Sequence, residues 1–98
     1  MLFRSWVDAC CTRPAHVFGL ATKGRLQAGY DADLVLFDPE RELTLSPEVL
    51  HSDIDFSTYE GMTVRGFPSW TISRGEVLIE DGELVAVPGR GQLAPRGY

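Results

Sequence analysis

Ser69-Trp70-Thr71-Ile72-Ser73-Arg74-Gly75-Glu76-Val77-Leu78-Ile79-Glu80-Asp81-Gly82-Glu83-Leu84-Val85-Ala86-Val87 is the stretch that decides the fold class. Trp70 and Ile72, then Val77 and Ile79, then Leu84 and Val87 mark successive strands. Asp81-Gly82 is the preferred two-residue hairpin pair because both positions tolerate positive φ, and Ser73-Arg74-Gly75 punctuates the joint before it. A three-stranded meander over 69–87 follows. Just upstream, Met62 and Val64 mark another strand, closed by the breakers Gly66-Phe67-Pro68.

Farther toward the amino terminus, Leu34-Val35-Leu36-Phe37 is an apolar run fenced by Asp33 and Asp38. Continuous apolarity predicts a strand buried on both faces. Asp38-Pro39 is expected to turn the chain and Glu42-Leu43-Thr44-Leu45 to alternate as a half-buried strand. Ser46-Pro47 then looks like the cap and first position of a brief helical turn through Leu50. Leu20 to Asp33 is polar and dotted with glycine, the composition of a wandering connection. Before it, Leu2, Phe3, Trp6, Val7, Cys10 and Cys11 line one face of an amphipathic helix. Pro14 is expected to break that helix and open a second, short one carrying Ala15 and Phe18 and ended by Gly19. Residues 88–98 hold too many breakers for helix or strand and read as an extended tail.

With 98 residues, 44% of them apolar, the chain has room for one small domain whose core is marginal unless it packs on something else. Its net charge of −5 and lack of any basic run argue against a nucleic-acid or anionic-membrane surface. Nine of the fourteen acids lie between Asp31 and Glu60 against a single base, Arg41, the pattern of a solvated loop face. No stretch approaches the ~20 apolar residues of a membrane span, and the amino end lacks a signal-peptide layout, so a cytoplasmic location is the default. Adjacent Cys10 and Cys11 suit neither a disulfide framework nor a zinc site and read as reduced, half-buried thiols.

The chemistry-bearing residues do not assemble a site in sequence. His16 and His51 are the only histidines and stand far apart, too few for a metal centre; each reads as a packed or surface histidine. Cys10 or Cys11 with His16 would make a nucleophile pair, but both thiols lie toward the carboxyl end of their helix, where the dipole disfavours a thiolate. Asp31 and Asp33 could serve as an acid/base pair, yet just before a strand they more often hold the turn. Gly24 and Gly29 precede a strand instead of following one, so no phosphate cradle forms. No catalytic, cofactor-binding or metal-ligating residue is assigned.

Lys23-Gly24-Arg25-Leu26-Gln27-Ala28-Gly29-Tyr30-Asp31-Ala32-Asp33-Leu34-Val35-Leu36-Phe37-Asp38 resembles the segment by which amidohydrolase-superfamily enzymes leave their catalytic barrel and enter an accessory β-sandwich. Thr12-Arg13-Pro14-Ala15 with Phe18-Gly19-Leu20 resembles the ending of the last barrel helices, Arg13 standing where asparagine is usual. Asp55 through Gly61, Gly66-Phe67-Pro68, Ile72-Ser73-Arg74-Gly75 with Asp81-Gly82, and Pro88-Gly89-Arg90-Gly91 with Pro95-Arg96 resemble the cyclic-amidohydrolase branch, nearest dihydropyrimidinase and D-hydantoinase.

That resemblance implies an α+β fragment with three parts. Residues 1–20 would be the last helices of a TIM-like barrel, 21–87 the carboxyl-terminal part of the sandwich, and 88–98 an extended tail at subunit contacts. It implies a parent that hydrolyses cyclic amides with binuclear zinc held on barrel strands absent from this chain, inactive without them, and a homo-oligomer, tetrameric in the family. Its partner would be the missing amino-terminal barrel. A non-catalytic docking module, or a fragment of allantoinase or dihydroorotase, are the alternatives. Alone, the chain exposes apolar surface and strand edges. It should therefore self-associate, and a monodisperse, cooperatively unfolding monomer at tens of micromolar would refute that expectation.

Overall fold

Two-residue turns in which both positions have positive φ join the last three strands: Arg74 (48°) with Gly75 (78°), and Asp81 (47°) with Gly82 (85°). This is type I′ geometry, whose twist matches that of the strands it joins. The computed structural model describes residues 3–97, so Leu2 of the helix stripe and Tyr98 of the tail lie outside the described residues. The sheet is one antiparallel meander in chain order: β1 (Leu34–Thr44), β2 (Thr63–Ser73), β3 (Glu76–Glu80) and β4 (Glu83–Leu84). The expected meander is present and gains β1 as a fourth strand; its last strand stops at Leu84, short of Val87.

Two expected breaks are bulges instead. Asp38-Pro39 does not turn the chain, because β1 runs through it with a register shift between Asp38 and Glu42. Proline cannot donate to the ladder and is tolerated where pairing lapses, and Asp38 Oδ1 accepts the Glu40 N–H (3.0 Å) to stabilise the irregular backbone. Likewise Gly66-Phe67-Pro68 does not end a strand, for β2 passes through it. Gly66 sits at φ 95° and leaves space for a ring, since a Cβ there would lie 2.8 Å from Cζ of Phe37.

The helical part also runs on where a break was expected. α1 (Phe3–Val7) continues through a π-helical turn (Asp8–Thr12) into α2 (Arg13–Val17). Pro14 has no N–H and its ring would press on the preceding turn; widening that turn, with the Arg13 N–H on the Asp8 carbonyl, keeps Thr12 and Arg13 helical. Gly19 (φ 68°) ends the helix as expected. Its N–H bonds the His16 carbonyl (3.1 Å) and the Leu20 N–H that of Ala15 (2.8 Å), the Schellman pairing.

Helix and sheet meet at Phe37. Its ring centroid lies 5.1 Å from Trp6 and 6.1 Å from Phe3, both near edge-on. That contact leaves much of the apolar surface uncovered. Val35 (59% exposed) and Leu36 (49%) contradict the expectation of a strand buried on both faces, because this sheet is one layer with the helix on only part of it. Cys10 and Cys11 are likewise free and exposed, not half-buried, as no element covers their side of the helix among the described residues. Ala15 and Pro47 are the only buried residues among those described.

Gly66→Ala should lower the free energy of unfolding by roughly 2–3 kcal/mol, combining positive-φ strain with displacement of the Phe37 ring. Gly75→Ala, where nothing lies within 4 Å of the new methyl, should cost only about 1 kcal/mol. Urea titration of the two variants checks this; equal losses would mean that Phe37 yields freely.

Candidate functional site

The stretch from Leu20 to Asp33, expected to wander, is instead fastened at both ends. Thr12 Oγ1 donates to the Gly24 carbonyl (2.9 Å), and a Cβ on Gly24 (φ 85°) would lie 2.6 Å from the Cys11 carbonyl oxygen and 2.7 Å from Cβ of Ala15. Only glycine lets the loop backbone approach the helix that closely. The Asp31 N–H returns to the Thr22 carbonyl (2.9 Å). This loop geometry brings Lys23 between two carboxylates, 2.8 Å from Asp31 Oδ2 and 2.6 Å from Asp33 Oδ2.

The second oxygen of Asp33 accepts the Arg74 N–H (2.9 Å), and the Gly75 N–H bonds the Ala32 carbonyl (3.0 Å). The β2–β3 turn is thereby tied to the start of β1. Arg90 fastens the tail to the same hairpin: Nη2 donates to the Ser73 carbonyl (2.7 Å), Nη1 to Ser73 Oγ (3.0 Å) and Nε to Glu76 (3.0 Å). Arg74 Nη2 in turn donates to the Arg90 carbonyl. At its far end the tail bonds through the Gly97 N–H to the Gly19 carbonyl (2.8 Å).

Hydrogen bonding from Lys23 holds the Asp33 carboxyl below its ordinary value, outweighing the opposing effect of burial, with the Arg74 N–H adding to it. Lys23 is raised reciprocally, by its hydrogen bonds to Asp31 first and Asp33 second. Both oxygens of Asp33 are thus engaged with donors, and the pair holds the turn into β1, the structural role expected for it.

The other candidates are not brought together. His16 is exposed, and His51, at φ 52° after the turn that Ser46 caps through the Val49 N–H (3.3 Å), places Nε2 3.1 Å from the Gly82 carbonyl. Among the described residues no three His, Cys, Asp or Glu side chains group closely enough to hold a metal, so these residues do not fit a metal centre. An open groove of about 780 Å³ runs between the helix end and the loop, edged by Asp8, Arg13, His16, Lys23, Arg25 and Tyr30, with Arg13 Nε paired to Asp8 Oδ2 at 2.7 Å. Sequence reasoning missed Lys23, Arg74 and Arg90. The one local signal was Arg74, a large side chain at a turn position where asparagine, aspartate or glycine is usual.

A helical run joined to a four-stranded meander through one aromatic contact and one ionic junction defines an α+β segment. The amidohydrolase family model matches residues 1–82, and the chain belongs to that family. It is 40% identical to D-hydantoinase of Rhizobium radiobacter over 93% of its own length and 20% of that protein's. To dihydropyrimidinase of Rattus norvegicus it is 40% identical over 93% of its length and 18% of that protein's. A solved D-hydantoinase structure superposes with a TM-score of 0.91 at 39% identity, over 100% of this chain and 22% of that one. The chain thus spans about a fifth of the length of the relatives it matches.

The junction makes stability depend on pH at two limbs. Asp33 contributes fully above its ordinary 3.8 and loses the contribution as pH falls through its depressed folded value. Lys23 contributes fully below 10.5 and loses it as pH rises through its raised value. Asp33→Asn should lower the urea midpoint at neutral pH and flatten the acid limb, whereas Asp53→Asn should do neither.

Proposed function

We propose that this chain is the carboxyl-terminal portion of a metal-dependent hydrolase of cyclic amides, of the dihydropyrimidinase and hydantoinase type. The observation that carries the reading is the match of nearly the whole chain, in sequence and in backbone, to a fifth of those proteins. On this reading residues 1–20 end the catalytic barrel, 21–87 complete an accessory β-sandwich and 88–98 are a tail at subunit contacts. The half-exposed Phe3, Trp6 and Val7 support it, since a helix face with this much uncovered apolar surface suits a helix that packs on a further body.

On this reading metal chemistry belongs to the remainder of the parent, as the family resemblance implies. A bridged pair of zinc ions is the form the resemblance suggests. The chain alone lacks hydrolytic activity on this reading, and its partners are the barrel and further copies of the same protein. No helix among the described residues is long and apolar enough to cross a membrane.

The test is a chimera in which this chain replaces the matching 92 residues of the Rhizobium radiobacter protein. It should hydrolyse hydantoin within about tenfold of the unaltered enzyme, while this chain alone, given divalent metal, should hydrolyse none. Hydrolysis by the isolated chain, or a folded, metal-loaded chimera without activity, would overturn the reading.

A further inference from the structure

Glycine follows only one of the chain's seven aspartates, Asp81. The other six precede Ala9, Ala32, Leu34, Pro39, Ile54 and Phe56, where a side chain or a missing N–H hinders attack of the backbone nitrogen on the neighbouring carboxyl. Gly82 has no side chain to shield its nitrogen. The Asp81 side chain is 83% exposed, and its nearest cation, Arg41 Nη1, stands 3.9 Å away, too far for a hydrogen bond that would hold the carboxyl in place.

Attack of the Gly82 nitrogen on Asp81 Cγ closes a five-membered succinimide, and the amide proton and a carboxyl oxygen leave as water. Water then adds back at either ring carbonyl. Opening at Cγ restores aspartate; opening at the main-chain carbonyl leaves isoaspartate, with the chain running through Cβ and Cγ and a free α-carboxylate beside it. The fold holds ring closure back. The Gly82 N–H donates to the Ser69 carbonyl (3.0 Å), and the Gly82 carbonyl accepts from His51 Nε2 (3.1 Å), so β2 and the loop after β1 grip the same residue. Closure needs rotation about the Asp81 Cα–C bond, which swings the nitrogen toward Cγ and breaks both contacts.

We propose that Asp81-Gly82 is a self-modification site at which isoaspartate forms when the β3–β4 turn opens and then keeps it open. The product has one more main-chain atom between residues 81 and 82. A two-residue turn with φ of 47° and 85° cannot absorb that atom, so the pairs Ile79↔Leu84 and Glu80↔Glu83 lose their register. Displacing Gly82 also releases His51, and with it the loop from 45 to 62 loses this tie to the hairpin. Nothing in this chemistry depends on the hydrolase reading.

Peptide mapping by mass spectrometry tests it on the full chain, aged for weeks near neutral pH either folded or in guanidinium chloride. Isoaspartate should appear at position 81 ahead of the other six aspartates, and at least about tenfold faster in denaturant than in the fold. Equal rates in the two, or faster conversion at Asp53 or Asp55 in the folded chain, would overturn the proposal. His51→Ala leaves the reacting atoms alone and should raise the folded rate about threefold without altering the denatured one; an unaltered folded rate refutes the grip of the loop. Asp81→Asn keeps a residue that favours this turn and reports ring opening as a gain in mass; it too should convert more slowly when folded. In the converted fraction, separated by chromatography, the amides of residues 78–85 should exchange at least about threefold faster than in the unconverted one, and equal exchange refutes the opened turn.

Discussion

The ring of Phe37 lies against Phe3 and Trp6 of the helix and against Gly66 of the neighbouring strand, where a side chain would otherwise stand. One side chain therefore joins α1, β1 and β2. The two bulges take their meaning from this arrangement. The shift between Leu36 and Phe37 leaves Ser69 of β2 as the extra residue opposite the ring's strand, and the absent Cβ of Gly66 makes room across the ladder. With only Ala15 and Pro47 buried among the described residues, an aromatic cluster of this kind holds a large share of the apolar contact between helix and sheet.

The ionic junction acts differently. Exposed ion pairs contribute little to stability, typically about 0–1 kcal/mol, because water screens the charges and long side chains lose freedom in pairing. Lys23, Asp31 and Asp33 keep roughly a quarter to a third of their side-chain surface in water. What the junction does supply is register. Lys23 fixes where the loop ends, Asp33 fixes where β1 begins against the Arg74 turn, and Arg90 lays the tail along the same hairpin. Donors and acceptors in fixed directions specify these positions more sharply than apolar contact would.

The hairpins were legible in the sequence because their signals are local. Asp81-Gly82 carries its φ preference in the two residues themselves, and the period-two alternation around it needs no distant partner. Pro39, Gly66 and Pro14 were misread for one shared reason: each is a breaker whose effect depends on neighbours. Opposite a partner strand Pro39 and Gly66 make bulges, and in a helix that can widen by one residue Pro14 makes a π-turn. The family was legible from motif order along nearly the whole chain. The ionic junction was not, because no periodicity announces that a lysine in a glycine-dotted loop will find two aspartates eight and ten residues on.

The misjudged burial of Val35, Leu36 and the two cysteines has a physical cause of its own. Apolar sequence predicts that a side chain will be covered, but not whether the cover lies in the same chain. A compact domain of this length has a radius of gyration of about 13 Å, whereas this chain has 15.2 Å. The excess has a direct structural source: one sheet layer and a helix touching it at a single ring. Such a shape leaves apolar side chains half in water at both ends and along the helix. The half-exposed apolar side chains follow from this single-layer geometry, which no run of apolar residues in the sequence could announce.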